Sequence, residues 1–399
     1  MAISLSSLSL FVATPEQITE SRRRTCVQWA RGMTQEEYLA RDAFTDRFEN
    51  AANGKLITWV LAERNDPTSL NFLCSGETFR RKGVVWRSTG GRAPQPEKVT
   101  CYAIASVFTP LENRKKGYAK HMMSLLHWVL AAEELLPAFP AEWGSPPARV
   151  QHAGAGLFSA LWSDIGKDVY RRCGIVPGQE GWVVFDPIST IWNIQPEEPS
   201  PADTKEGGFL DWKWLDEDGV LKLWESDAED ISGSLEVSKT APVSVAFLPD
   251  EGVAAFQHRR FEFFMAEFPR GRHYGIVSGS ASVPFDENVV FATWTMEVHP
   301  SAPRTLLVTR LRSPAKDFSR LFEKLMQAAR EYRLERIEIY NLGEELEKVA
   351  GSLGGEKIER DEHMPALMWY GPERTGEIGW LFNERSVEID ICWEPLEGY

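Results

Sequence analysis

Apolar residues in the first half of the chain form several short strand-like runs. These runs predict strands at residues 5–13, 56–62, 72–86 and 99–109. The third run is interrupted by the basic cluster at 80–83, which favours a hairpin there. A capping-box pair, Thr34 and Glu37, predicts a helix that runs to about Phe48. Strands and helices therefore alternate, and the first half is predicted to be mixed α/β.

Two more helices are predicted further along this half. Between 116 and 130, apolar residues recur every three or four positions, which is typical of a helix with one face toward a core. Residues 158–173 predict another helix, with Gly174 as its C-cap. A strand at 181–186 follows.

The second half repeats this order of elements. Strands are predicted at 289–298, 305–311 and 336–340, and helices at 317–332 and 344–350. The turn between the second strand and its helix reads Arg312-Ser313-Pro314-Ala315 and has no glycine. We therefore expect a second α/β domain that is a degenerate copy of the first fold.

A stretch rich in Pro, Gly and charge separates the two halves. It begins at Pro196 and predicts a linker at 196–208 between a domain at 1–195 and a domain at 209–399. The 399 residues are 43% apolar, enough for two hydrophobic cores.

The net charge of −14 is distributed unevenly. Residues 1–199 carry +1 and residues 200–399 carry −15. The acidic half would repel a phosphate backbone, so nucleic acid is not expected as a partner. It is compatible with a cationic substrate, although acidity that only aids solubility explains it equally well.

Several features bear on the compartment. The N-terminus lacks a basic region before its apolar stretch, so this stretch is interpreted as a strand and not as a signal peptide. No apolar run reaches the ~20 residues that span a bilayer. The five cysteines are scattered without a metal-binding spacing, so we expect no metal and a reducing, cytoplasmic compartment.

Residues 114–119 follow the predicted strand at 99–109 and open the helix after it. The N–H groups of a helix's first turn have no partners within the helix and can bind an anion. Gly117 and Ala119 keep side-chain bulk away from the backbone. Positive charge comes from Arg114, Lys115, Lys116 and Lys120. The segment therefore predicts a pyrophosphate site.

Two motifs resemble those of the GCN5-related N-acetyltransferases (GNAT). Arg114-x-x-Gly117-x-Ala119 is similar to the loop with which that family holds the pyrophosphate of acetyl-CoA. Residues 163–174 resemble the family's helix that ends in a tyrosine, here Tyr170, with a glycine four residues later. Ser163 stands where the family usually has asparagine, which shortens its reach toward the pantetheine.

The resemblance implies an N-terminal GNAT fold that binds acetyl-CoA as cosubstrate. It implies a general acid at Tyr170, whose hydroxyl would protonate the departing sulfur. A tyrosine that only packs at a helix end is the alternative. The expected cofactor-binding residues are Val107, Phe108, Thr109, Arg114, Lys115, Lys116, Gly117, Tyr118, Ala119, Lys120 and Ser163. The first three would act through backbone groups at the strand edge, whereas plain core packing is the other interpretation of Val107 and Phe108.

A narrower resemblance, to the fungal lysine acetyltransferases of the Lyc1 type, extends over nearly the whole chain. It rests on residues 161–166, 364–371 and 380–384. It implies transfer of acetyl to the side-chain amine of free L-lysine by direct attack in a ternary complex. The protein is expected to be a monomer or a homodimer without membrane association.

Other functions stay open at this point. One is acyl transfer to nitrogen or oxygen of a secondary metabolite or xenobiotic amine. Others are acetylation of a protein and a non-catalytic role as an acetyl-CoA-binding regulator.

Three side chains are weaker candidates for a role in transfer. Glu63 and Glu77 are candidate general bases, although ordinary edge carboxylates look the same in sequence. His121, on the first turn of the loop helix, is a candidate phosphate contact. The second half is expected to form one wall of the acceptor site.

Overall fold

A computed structural model describes residues 3–30, 32–88, 95–195, 211–233, 241–262, 273–279, 285, 288–298 and 302–381. The predicted linker at 196–208 and residues 382–384 of the Lyc1-type motif lie outside these ranges. Within them the chain forms two mixed β-sheets with helices packed against both.

The strands, in chain order, are β1 Leu8–Val12, β2 Leu56–Glu63, β3 Cys74–Arg87, β4 Pro96–Phe108, β5 Gly156–Ser163, β6 Val183–Val184, β7 Ile188–Asn193, β8 Trp212–Leu215, β9 Val243–Phe247, β10 Gly275–Ser278, β11 Val290–Glu297, β12 Thr305–Arg312, β13 Arg336–Tyr340, β14 Glu356–Glu359, β15 Met364–Trp369 and β16 Ile378–Trp380. The α-helices are α1 Pro15–Trp29, α2 Gln35–Thr45, α3 Tyr118–Leu130, α4 Asp168–Arg171, α5 Glu217–Gly233, α6 Val253–Glu262, α7 Ala315–Glu331 and α8 Glu344–Ser352.

The first sheet has the order β1-β2-β3-β4-β5-β15-β6. The long strand β3 pairs with β4 along one edge. Along its other edge it pairs first with β2 and then with β9, which pairs in turn with β16. The second sheet has the order β14-β7-β13-β12-β11-β10-β8.

The two sheets exchange strands across the two halves of the sequence. β7 precedes residue 195 but lies in the second sheet, whereas β9, β15 and β16 follow residue 209 and lie in the first. β15 is buried along its full length between β5 and β6. Each sheet therefore needs residues from both halves, and the predicted domain limits stay predictions.

In each sheet a helix connects two adjacent parallel strands. In the first sheet β4 and β5 are parallel and α3 connects them, and in the second β12 and β13 are parallel and α7 connects them. The repeated unit agrees with the expectation that the second half copies the first fold. At its loop, Pro314 caps α7 and Asp317 occupies the first turn. Proline removes an N–H donor and aspartate repels anions, so this copy lacks the features of a phosphate site.

Two of the predicted elements are wrong. Residues 158–173 form β5 and the one-turn helix α4, not a long helix. β5 pairs with β4 on one edge and β15 on the other, and residues on both of its faces are buried. Its continuous apolar run therefore resembles a buried helix in sequence.

The predicted hairpin at 80–83 is also wrong, because β3 continues through it as one strand of 14 residues. Arg81 is 2% exposed, and its guanidinium donates to the Leu248 carbonyl at 2.8 Å. The Leu248 carbonyl, from the second half, thus gives the buried guanidinium of Arg81 a hydrogen-bond acceptor within the strand. The predicted helices at α2, α3, α7 and α8 and the strands β1, β2, β4, β11, β12 and β13 are confirmed with small shifts of their ends.

Candidate acetyl-transfer site

The loop between β4 and α3 contains two residues with left-handed backbone angles. Gly117 is the residue before α3 and has φ +82°, and Lys115 has φ +60°. A Cβ on Gly117 would meet no atom within 4 Å, so the glycine is required by its backbone angle and not by crowding. No side chain caps α3, which leaves the N–H groups of its first turn for a ligand.

The side chains of the loop divide into two groups. Lys115, Lys116 and Lys120 are exposed and bring positive charge to the mouth of the loop. Arg114 and Tyr118 hold the loop in place. Arg114 Nε donates to the Thr109 carbonyl at 3.1 Å, and the hydroxyl of the buried Tyr118 accepts from the Ile3 N–H at 3.3 Å.

The predicted thioester strand, residues 107–109, lies where β4 parts from β5. The two strands pair as far as Ala103 and Ala160, and beyond that point no strand of the described ranges pairs with β4 on that side. A β-bulge interrupts the pairing of β4 with β3, and Ser106 within it has φ +55°. Val107 and Phe108 are half-buried at this opening. The predicted backbone contacts of residues 107–109 with the cosubstrate would lie at this opening, and they stay a prediction.

Ser163 lies at the end of β5 and is 1% exposed. Its hydroxyl donates to the Gly166 carbonyl at 3.0 Å and accepts from the Ile165 N–H at 3.3 Å. These bonds use the side chain within its own turn, so its contact with the pantetheine stays a prediction.

Tyr170 lies on α4 and is half-buried against the core of the first sheet. Burial raises the pKa of the nearby Cys173 thiol to about 12, and the Lys120 ammonium offsets part of that shift. The segment that follows Tyr170 packs against α3, where Nε2 of His127 lies 2.7 Å from the Cys173 carbonyl oxygen.

A small cleft of about 40 Å³ opens at the β4 bulge and is bordered by α1, α2 and α6. Ser106 connects it to the thioester strand, because its hydroxyl donates to a Glu77 carboxylate oxygen at 2.5 Å. The cleft is lined by Arg22, Tyr38, Arg41, Asp42, Thr45, Asp46, Ala51, Leu56, Glu77, Phe79, Ser106, Phe256 and Arg260.

The charges in this cleft are coupled through Arg22. Its guanidinium lies 2.8 Å from Asp46, 3.8 Å from Asp42 and 3.9 Å from Glu77. Burial raises the pKa of Glu77, and Arg22 and the Ser106 hydroxyl offset part of the rise. Burial likewise raises the pKa of Asp46, again with a partial offset by Arg22. Burial alone would lower the pKa of Arg22, but the three carboxylates together raise it.

Of the two candidate bases, the structure brings only Glu77 to the cleft. Glu63 is exposed at the end of β2, opposite Leu8. His121 is buried against Trp143, and burial lowers its pKa to about 4. It is neutral at pH 7 and adds no positive charge to the phosphate loop.

Most residues of the cleft were missed by the sequence analysis. Arg22 and Asp42 belong to α1 and α2, and Phe256 and Arg260 belong to α6 of the second half. No local motif connects them, since only tertiary packing brings these helices together. The spacing of Asp42 and Asp46 on one side of α2 was the one local signal.

Two general properties complete the description of the site. No helix in the described ranges is long and apolar enough to cross a membrane. In the same part of the chain, no group of three or more His, Cys, Asp or Glu side chains is arranged to hold a metal ion.

Comparisons with known proteins address the family. Residues 194–388 match the family model described as the LYC1 GNAT-like C-terminal domain. A search of curated proteins finds no match. A solved structure from Enterococcus faecalis, described as a protein of unknown function and probable N-acyltransferase, aligns with a TM-score of 0.50 at 7% identity over 91% of this chain and 72% of that one.

Two further solved structures are described as GCN5-related N-acetyltransferases. The one from Anabaena variabilis gives a TM-score of 0.49 at 12% identity and covers 91% of this chain and 73% of its own. The one from Kribbella flavida gives a TM-score of 0.45 at 14% identity and covers 90% of this chain and 70% of its own.

The repeated parallel unit, the loop before α3 and the shared fold define the class. The chain has the GNAT fold, and the match of its C-terminal half supports an acyltransferase of the N-acetyltransferase type. Residues 194–388 belong to the Lyc1-type GNAT-like C-terminal domain family.

Proposed function

We propose that this protein transfers acetyl from acetyl-CoA to the side-chain amine of free L-lysine. The observation that carries the proposal is the cleft at the β4 bulge, which combines three carboxylates with three arginines. Free lysine carries an α-carboxylate and two ammonium groups, so a site for it needs a cation at one end and anions at the others. A large apolar pocket would instead favour a hydrophobic amine.

The residues of the β4–α3 region fit acetyl-CoA, which supplies the acetyl thioester. The first-turn N–H groups of α3, from Gly117 onward, would hold the pyrophosphate, with charge from Lys115, Lys116 and Lys120. Backbone N–H groups at Val107–Thr109 would polarise the acetyl carbonyl as negative charge develops on its oxygen.

The reaction balances with two proton transfers. The neutral amine nitrogen forms a bond to the acetyl carbon while the carbon–sulfur bond breaks. Glu77 accepts the proton that the amine loses, directly or through a water. Tyr170 donates a proton to the departing sulfur. Both partners are bound at once, because cleft and thioester strand meet at Ser106.

Glu77 has the environment of a general base. A carboxylate with an ordinary pKa is a weak base at pH 7, and burial in the cleft raises the pKa of Glu77. Its bond from Ser106 fixes the orientation of the carboxylate beside the thioester strand. Asp42 and Asp46 provide negative charge for an ammonium in the same cleft.

The proposal is tested by thiol release from acetyl-CoA with a panel of acceptors. The panel is L-lysine, L-ornithine, cadaverine, Nα-acetyl-lysine, polyamines and an aromatic amine. We expect the highest kcat/KM with L-lysine and a lower value for every amine that lacks the free α-amino acid group. Faster turnover of cadaverine or of the aromatic amine would contradict the lysine assignment, and no turnover with any amine would contradict the transfer itself.

We also propose a cytoplasmic location. The described cysteines, Cys26, Cys74, Cys101 and Cys173, are free thiols, which supports a reducing compartment.

A further inference from the structure

A chain of four buried hydrogen bonds runs beneath α4, the short helix that carries Tyr170. Trp182 Nε1 donates to Ser159 Oγ at 3.1 Å, and Ser159 Oγ lies 2.8 Å from Tyr370 Oη. Tyr370 Oη lies 3.3 Å from His127 Nδ1, and His127 Nε2 lies 2.7 Å from the Cys173 carbonyl oxygen. All five residues are at most 4% exposed.

The two ends of this hydrogen-bond chain, the indole N–H of Trp182 and the carbonyl of Cys173, determine which atom donates in every bond. The Cys173 carbonyl can only accept, so Nε2 of His127 carries a hydrogen. Burial lowers the pKa of His127 to about 4, so the ring is neutral and Nδ1 accepts from the Tyr370 hydroxyl. Ser159 must then donate to Tyr370 and accept from the indole of Trp182, which can only donate. No donor is left over and no acceptor lacks its bond.

This chain of hydrogen bonds ends on the turn that holds Tyr170. The Tyr170 carbonyl accepts from the N–H of Cys173 at 3.1 Å and from the N–H of Trp182 at 3.3 Å. Cys173 and Trp182 are thus the two ends of the side-chain network and also the two backbone anchors of Tyr170. The imidazole of His127 stacks on the Trp182 indole with ring centroids 4.2 Å apart, which holds both ends against α3.

α4 depends on such support because it has four residues. A single helical turn is not stable by itself, so its position must come from tertiary contacts. Tyr370 follows β15 and belongs to the second half, and its N–H donates to the Leu157 carbonyl at 3.0 Å. Through its hydroxyl, Tyr370 therefore connects the second half to the turn of Tyr170.

We propose that Tyr370 and His127 are positioning residues for acetyl transfer, because the buried chain from Trp182 to Cys173 sets the place of the Tyr170 hydroxyl. This inference rests on the proposed function of Tyr170 as the acid. His127, in the last turn of α3, also links the position of Tyr170 to the helix whose first turn faces the phosphate site.

A kinetic double-mutant cycle on the full chain tests the inference. Tyr170→Phe, Tyr370→Phe and the double variant are assayed with acetyl-CoA and L-lysine. We expect Tyr170→Phe to lower kcat about 100-fold or more. Tyr370→Phe should lower kcat roughly 10- to 100-fold through misplacement of the acid, with KM for acetyl-CoA unchanged. The double variant should be no slower than Tyr170→Phe, because the hydroxyl to be positioned is already gone.

Tyr102→Phe is the matched control. Tyr102 is 1% exposed in the same core and lies on β4 opposite Ser159, but its hydroxyl is outside the chain. Its removal should leave kcat unchanged. Ser159→Ala breaks the chain one link away and gives the same prediction if the Tyr370 variant does not fold.

The outcomes separate this inference from the proposed function. If Tyr170→Phe is slow but Tyr370→Phe keeps full kcat, the positioning role is wrong and the acid stands. If the two effects multiply in the double variant, Tyr370 acts on stability or elsewhere and the inference is again wrong. If Tyr170→Phe itself keeps full kcat, the acid role fails and the positioning role with it.

Discussion

The ionisation of one carboxylate, Glu77, links the cleft to the chemistry of transfer. Its oxygen accepts from Ser106 at the β4 bulge, and Arg22 lies 3.9 Å away. Burial raises its pKa and the two neighbours limit the rise. When ionised, the carboxylate is thus a better base than an exposed glutamate.

Glu77→Gln should remove the base and one limb of the pH profile. In the native protein kcat/KM should rise with pH through the pKa of Glu77, because only the ionised carboxylate accepts a proton. Glutamine cannot ionise, so this limb should disappear and kcat should fall about 100-fold or more. Rates of thiol release between pH 4 and 9 measure both effects.

Glu63→Gln is the control for Glu77, since it removes an exposed carboxylate outside the cleft. It should leave the profile unchanged. A Glu77→Gln protein that keeps the acid limb would assign that limb to another group.

Gly117→Ala tests whether the backbone angle of the loop binds the cosubstrate. The added methyl meets open space, so the change acts through φ alone, at a cost of about 1–2 kcal/mol. KM for acetyl-CoA should rise roughly tenfold with little change in kcat. Gly343 precedes α8 with φ −64° and open space around its Cβ position, so Gly343→Ala is the matched control and should leave KM unchanged.

At the scale of elements, α6 gives the second half a direct part in the cleft. Phe256 and Arg260 line it beside residues of α1, α2 and β3. This helix supports the expectation that the second half forms one wall of the acceptor site. Arg260 and Tyr38 both line the cleft, which places the charge of Arg260 there.

Arg260→Met should separate lysine from its decarboxylated analogue. If Arg260 binds the α-carboxylate, the charge-assisted bond is worth about 1.5–3 kcal/mol, so KM for L-lysine should rise roughly 10- to 150-fold. KM for cadaverine, which has no carboxylate, should change little. Arg259→Met is the control on the same helix, because Arg259 pairs with Glu217 at 3.0 Å. Equal losses with both acceptors would assign Arg260 a structural role.

The elements differ in how far the sequence determines them. The loop and α3 were predictable, because a glycine, flanking cations and a helical stripe are local features. β5 was not, since a strand buried on both faces has no alternation and matches a short buried helix. The cleft was not, because Arg22, Glu77 and Arg260 are far apart in sequence and meet only through packing.

At the scale of the whole molecule, the two halves are interleaved. β15 and β9 are buried strands of the first sheet, and β7 is a strand of the second. The Lyc1-type motif at 364–371 therefore contributes to the first sheet, next to the turn of Tyr170. Its position explains physically why the resemblance to the Lyc1 type extends across both halves of the chain.

A fragment of residues 1–195 should fail to fold independently. Without β15, β5 and β6 each lose the strand that pairs with them. Without β9, residues 83–87 of β3 lose their partner strand on that edge. We expect no cooperative thermal unfolding by circular dichroism and no acetyl-CoA binding by calorimetry. Co-expression with residues 196–399 should restore both. A fragment that melts cooperatively by itself would show that the first sheet closes without these strands.

Strand exchange also constrains how the protein is made. The ribosome delivers β5 long before β15, so the growing chain holds an open sheet edge until about residue 370 has emerged. Pairings across such a distance form slowly, and an unpaired apolar edge can join that of another nascent chain. Translation speed and chaperone supply should therefore limit the yield of active protein more strongly than they would for two domains that fold in succession.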